Sequence, residues 1–114
     1  MGSWIWMVAA LGLGFLWMSR NRTPLVESSE ARRLVNEGAL LVDVRTPGEY
    51  RGGHIDGAVN IPVDQVASRI SEFGEQSRPI VLYCRSGARS GNALRILQSK
   101  GFTQAYNLGG MGNW

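Results

Sequence analysis

The sequence predicts an α/β fold: a parallel sheet flanked by helices and preceded by one N-terminal transmembrane helix. Three observations carry this expectation. Two continuous apolar runs, residues 39–44 (ALLVDV) and 79–83 (PIVLY), lack the alternation of a half-exposed strand and read as strands buried on both faces. Segments with helix caps and helical apolar spacing stand between and after them, the alternation that builds βαβ units. Finally, no side chain in residues 2–19 is charged.

Residues 2–19 (GSWIWMVAALGLGFLWMS) are followed at once by Arg20, Asn21 and Arg22. As a helix this stretch is about 27 Å long, close to the roughly 30 Å of a bilayer's hydrocarbon core. Trp4 and Trp6 at one end and Trp17 at the other stand where amphipathic rings settle at the two interfaces. A cleaved signal peptide is the rival reading. It is disfavoured because no Lys or Arg precedes the apolar run and no small-x-small site lies between Phe15 and Thr23. A buried core helix would need a partner surface that so small a domain lacks. With Arg20 and Arg22 after the span, the positive-inside rule places the remainder in the cytoplasm, the periplasm being the alternative. The expected division is therefore an anchor over residues 1–22 and one domain over residues 23–114.

Within that domain, Leu25 and Val26 are expected to add a short edge strand. Ser28 or Ser29 can cap a helix through Ala31, Leu34 and Val35 to Gly38. After the first buried strand, Thr46-Pro47-Gly48-Glu49 has the capping-box pattern with proline at the first helical position, implying a short helix through Tyr50. Residues 58–61 make a brief strand closed by Pro62. Asp64 then caps an expected helix with Val66, Ala67, Ile70 and Phe73 on its apolar face. The second buried strand runs straight into Cys84. Residues 90–100 show helical apolar spacing at Ala93, Leu94, Ile96 and Leu97, with Gly101 as the stop. Residues 102–108 supply a last strand, and Gly109-Gly110-Met111-Gly112 reads as a flexible tail. In such sheets the ligand site lies at the carboxyl ends of the strands, where Asp43-Val44-Arg45 and Cys84 fall.

Composition narrows the function. The formal charge is +3, and Lys100 is the only lysine among 12 basic residues. Arginine favours oxyanions, but these arginines are scattered, with no basic run and no base-stacking aromatic pattern, so no nucleic-acid partner is expected. Cys84 is the only cysteine, which excludes a disulfide framework and directs attention to thiol reactivity. One cysteine and one histidine cannot supply a structural zinc site; no metal and no cofactor are expected.

Cys84-Arg85-Ser86-Gly87-Ala88-Arg89-Ser90 joins a buried strand to a helix, so its backbone N–H groups can curl around the sulfur as an anion cradle. Gly87 permits the tight curve, the helix contributes positive potential, and Arg85 and Arg89 add full charges. All three favour a nucleophilic thiolate, for which an inert buried thiol is the bland alternative. Arg85 is expected to attract substrate; Arg89 stands between a substrate and a structural role. Asp43 and Arg45 are expected to hold loops together, since a carboxylate near the sulfur would oppose the thiolate. His54, the only histidine, is expected to be structural rather than half of a Cys–His pair.

Three ordered motifs together resemble a known family. LLVDVRTPGEYRGGHIDGAVNIP is similar to the first signature of single-domain rhodaneses, YCRSGARS to their active-site loop, and GFTQAYNLGGMGNW to their closing signature. The resemblance covers the chain from about Leu25 to Trp114. It implies a five-stranded parallel sheet, Cys84 as persulfide carrier, and the backbone from Arg85 through Ser86, Gly87 and Ala88 to Arg89 as the cradle. The four residues between Cys84 and Arg89 match sulfur-handling members; related phosphatases and arsenate reductases use a loop one residue longer. The implied activity is a membrane-anchored sulfurtransferase moving sulfane sulfur from thiosulfate or a persulfide donor to a thiol or cyanide. A tethered sulfur-relay or binding module with little thiosulfate turnover is the alternative.

Overall fold

The structure, a computed structural model, describes residues 24–114. Among these residues four parallel strands form one sheet in the order β2-β1-β3-β4: β1 Leu40–Asp43, β2 Val59–Asn60, β3 Ile80–Cys84 and β4 Ala105–Gly110. The helices are α1 Ser28–Asn36, α2 Pro47–Arg51 and α3 Ala88–Ser99, with 3₁₀ turns at Val63–Gln65, Ile70–Phe73 and Met111–Asn113. The expected α/β sheet flanked by helices is present. The membrane segment expected over residues 2–19 lies outside the described residues; among the described residues no helix is long and apolar enough to cross a membrane.

The continuous apolar runs follow from burial of both sheet faces. All five residues of β3 are buried, and they alternate strictly between two cores. Ile80, Leu82 and Cys84 pack with Val42, Val44, Ile61, Val66 and Phe73 under Ala93, Leu94 and Leu97 of α3. Val81 and Tyr83 face the other way, with Leu41 and Leu108, beneath Ala31 and Leu34 of α1.

Four expectations are corrected. The sheet has four strands rather than five, because Leu25 makes only a single parallel bridge to Asn107, with the Val26 N–H donating to Asn107 O at 2.8 Å. Pro24 has no N–H to extend that pairing and α1 begins at Ser28, so no length remains for a strand. Helix α1 is capped by Glu27 in extended conformation, without a side-chain cap; Ser28 Oγ donates instead to Trp114 O at 3.0 Å. The helix expected after Asp64 is two separate 3₁₀ turns. Its first N–H, on Val63, goes to Val44 O on the sheet, and Ser68 Oγ competes locally by donating to Gln65 O. Finally, Gly109-Gly110-Met111-Gly112 is ordered: Gly109 and Gly110 complete β4, Met111 and Gly112 belong to the closing 3₁₀ turn, and Asn113 Nδ2 folds back onto Leu108 O at 3.1 Å.

One irregularity positions the site. The β3–β4 pairing shifts between Leu82 and Tyr83, so Leu82 faces Asn107 but Tyr83 faces Gly109 and Cys84 faces Gly110. Gly109 takes φ +89°, and its N–H is satisfied by Asn107 Oδ1 at 2.8 Å. The extra residue brings a glycine beside Cys84.

Candidate active site

Cys84 is the last residue of β3, with its side chain on the α3 side of the sheet. Arg85, Ser86 and Gly87 turn the chain through about one loop before α3 starts at Ala88. Gly87, the helix N-cap, adopts φ +102°, and this lets its N–H point back at the sulfur, 2.9 Å from Cys84 Sγ. Any Cβ there would also lie 3.3 Å from Gly109 Cα, so glycine meets two demands at once. Ser90, in the first turn of α3 and fully buried, places its Oγ 3.4 Å from Sγ while donating to Gly87 O at 3.1 Å.

These contacts set the ionisation. Burial pushes the Cys84 thiol up; hydrogen bonding from the Ser90 side chain and the backbones of Ser90, Gly87 and Ser86 outweighs it, and the net direction is down. The sulfur is covered, whereas Arg85, Ser86 and Ala88 of the same loop are exposed.

The two arginines differ. Arg85 makes no ion pair among the described residues, whereas Arg89 donates through Nη1 to Glu49 Oε1 at 2.6 Å and through Nη2 to Glu49 Oε2 at 3.0 Å. Hydrogen bonding from Arg89, and then from the Thr46 backbone, pushes the Glu49 carboxyl down to about 2. Glu49 belongs to the capping box of α2, which forms as the sequence predicts.

Asp43 and Arg45 sit on the opposite side of the sheet, with Tyr83. Arg45 Nε lies 3.1 Å from each carboxylate oxygen, Nη2 donates to Asp43 Oδ2 at 2.8 Å, and Nη2 also reaches Gly53 O at 2.6 Å. This buried pair moors the loop after α2 and does not touch the sulfur. His54 stacks on Tyr50 with centroids 3.7 Å apart, and its Nδ1 lies 2.8 Å from Tyr50 O. A shallow groove of about 450 Å³ lies between α3 and the Val63–Gln65 turn, but its lining holds none of the cradle residues.

Cys84, the Ser86–Gly87 backbone and α3 thus converge as one anion-stabilising cradle. Beside the cradle residues, three features were not singled out by sequence: Ser90 against the sulfur, Glu49 holding Arg89, and the Gly109-Gly110 pair behind the loop. Gly110 is required because a Cβ there would lie 2.7 Å from Arg85 O. A model of the rhodanese-like domain matches residues 27–114. The chain belongs to the rhodanese-like family. The rhodanese-like domain is 42% identical over 89 residues to a sulfurtransferase of Allochromatium vinosum, covering 77% of this chain and 82% of that one. It is 38% identical over 71 residues to the thiosulfate sulfurtransferase PspE of Escherichia coli, covering 61% and 68%. Among solved structures, the human single-domain sulfurtransferase TSTD1 superposes with a TM-score of 0.70 at 31% identity, covering 82% of this chain and 93% of that one. The α/β architecture described above is thus the rhodanese-like fold, and the three relatives named here are sulfurtransferases.

Proposed function

We propose that this rhodanese-like protein is a sulfurtransferase that carries sulfane sulfur as a persulfide on Cys84. The observation that carries the reading is the Gly87 N–H and Ser90 hydroxyl converging on a cysteine sulfur at the head of a helix. In the first half-reaction the Cys84 thiolate attacks the outer sulfur of thiosulfate. A new S–S bond forms, the old one breaks, and sulfite leaves with the electron pair, so three negative charges enter and three leave. With a persulfide donor the leaving group is the donor's thiolate. The cradle backbone from Arg85 to Arg89 then holds the anionic outer sulfur. An acceptor thiolate, or cyanide, attacks that sulfur and returns Cys84 as thiolate. Asp43 and Arg45 support the neighbouring loop.

Intact-mass analysis tests this. Thiosulfate or a persulfide donor is expected to add one sulfur, about 32 Da, which excess thiol removes and Cys84→Ser abolishes. No gain from either donor overturns the reading. The pairing of Arg89 with Glu49 favours a second, related reading, a sulfur relay that loads from a protein persulfide and barely from thiosulfate. The same experiment separates the two by which donor produces the gain. Residues 1–22 are proposed to anchor domain 23–114 in the membrane through residues 2–19, with Arg20 and Arg22 holding the domain on the cytoplasmic side.

A further inference from the structure

Glu49 lies 40 positions before Arg89, on a different element, yet its carboxylate takes both terminal nitrogens of that guanidinium. The fork-to-carboxylate match is the strongest geometry an arginine can make with an acid. Glu49 is also fixed from behind. Thr46 N–H and Oγ1–H donate to Oε1 at 3.1 and 3.2 Å, and Glu49 N–H donates to Thr46 Oγ1 at 3.2 Å. The carboxylate is therefore held by its own helical turn, and Arg89 comes to it. The guanidinium's charge is compensated before any substrate arrives, although it stands within electrostatic range of Cys84. Arg85 remains the cradle cation with no ion-pair partner among the described residues.

Charge then discriminates between donors. Thiosulfate is a dianion, whereas a low-molecular-weight persulfide brings a single charge on its terminal sulfur. Each unit of positive charge withdrawn from the mouth weakens attraction for the dianion about twice as much as for the monoanion.

We propose that Glu49 is a positioning residue that sets donor selectivity: by occupying Arg89 it weakens binding of dianionic donors and favours singly charged persulfides. The inference rests on the sulfur-carrier reading of Cys84.

Glu49→Gln in the full chain tests it, because the amide keeps the shape and the Thr46 contacts but not the charge. Steady-state kinetics with cyanide as acceptor are expected to show the thiosulfate KM falling about threefold to tenfold, a size set by the partial exposure of the pair. The KM for cysteine persulfide should fall less, and kcat should stay within about twofold, as expected when binding rather than chemistry changes. Glu49→Ala, which leaves Thr46 in place as a cap, should give the same direction. Adding Arg89→Gln to Glu49→Gln should return the thiosulfate KM toward wild type. An unchanged or higher thiosulfate KM in a variant that still gains the sulfur mass overturns this assignment and leaves Glu49 a loop brace. Absence of that mass gain in the wild type from every donor removes the sulfur-transfer reading itself.

Discussion

At the scale of single residues, the sulfur of Cys84 depends on few donors. Gly87 N–H approaches at 2.9 Å, and the Ser90 hydroxyl, 3.4 Å away, has one hydrogen that can serve either the sulfur or Gly87 O. The thiolate is the form that draws this hydrogen to sulfur, so Ser90 lowers the thiol's ionisation point and, in the proposed cycle, would steady Cys84 as it leaves the persulfide. Ser90→Ala removes a stabiliser of the anion. The thiolate then appears at higher pH, and the rising limb of the loading rate moves to higher pH. Below that limb the variant is expected to load about tenfold more slowly, the size of a lost hydrogen bond to a charged group, while rates converge at high pH. Stopped-flow loading across pH checks this; an unmoved limb would show that Ser90 serves only the backbone. The cysteine and its glycine were legible in sequence because strand, turn and helix start lie within a few residues. The role of Ser90 was not, because a serine opening a helix looks the same whether it serves the backbone or a sulfur.

Among the elements, what sequence revealed follows how locally each is determined. Strands β1 and β3 stand out because burial on both faces leaves no polar alternation. The Thr46–Glu49 capping box is read within four residues, but the second duty of Glu49 toward Arg89 spans 40 positions and leaves no local trace. The segment after Asp64 reads as a helix because Val66, Ala67, Ile70 and Phe73 recur at three and four, a spacing that an α-helix and 3₁₀ turns share. Gly109 and Gly110 were misread because glycine for close approach and glycine for freedom are written alike. Gly110→Ala distinguishes these meanings: its Cβ would meet the backbone oxygen of Arg85 at 2.7 Å, an atom that cannot swing aside. The variant is expected to lose about 1–3 kcal/mol of stability and to load sulfur more than tenfold slower as the cradle is displaced. Gly112→Ala, with nothing within 4 Å, is the control and should match wild type in both melting temperature and loading rate.

For the whole molecule, the proposed anchor would place the domain at a membrane. A reporter fused after Trp114 is expected to be active only in the cytoplasm; activity confined to the periplasm would reverse the orientation drawn from Arg20 and Arg22. The order of the sheet carries a separate consequence. One outer strand, β2, is two residues long and offers little backbone to a neighbouring molecule. The other, β4, is six residues long, and the segment at Leu25 and Val26 covers it at Asn107 through one bridge and one hydrogen bond. The family match begins at Glu27, just beyond that cover. A chain trimmed to the matched residues would therefore keep its cradle and its cores yet bare the longer rim of the sheet, making that rim the place where copies would add strand to strand and leave solution.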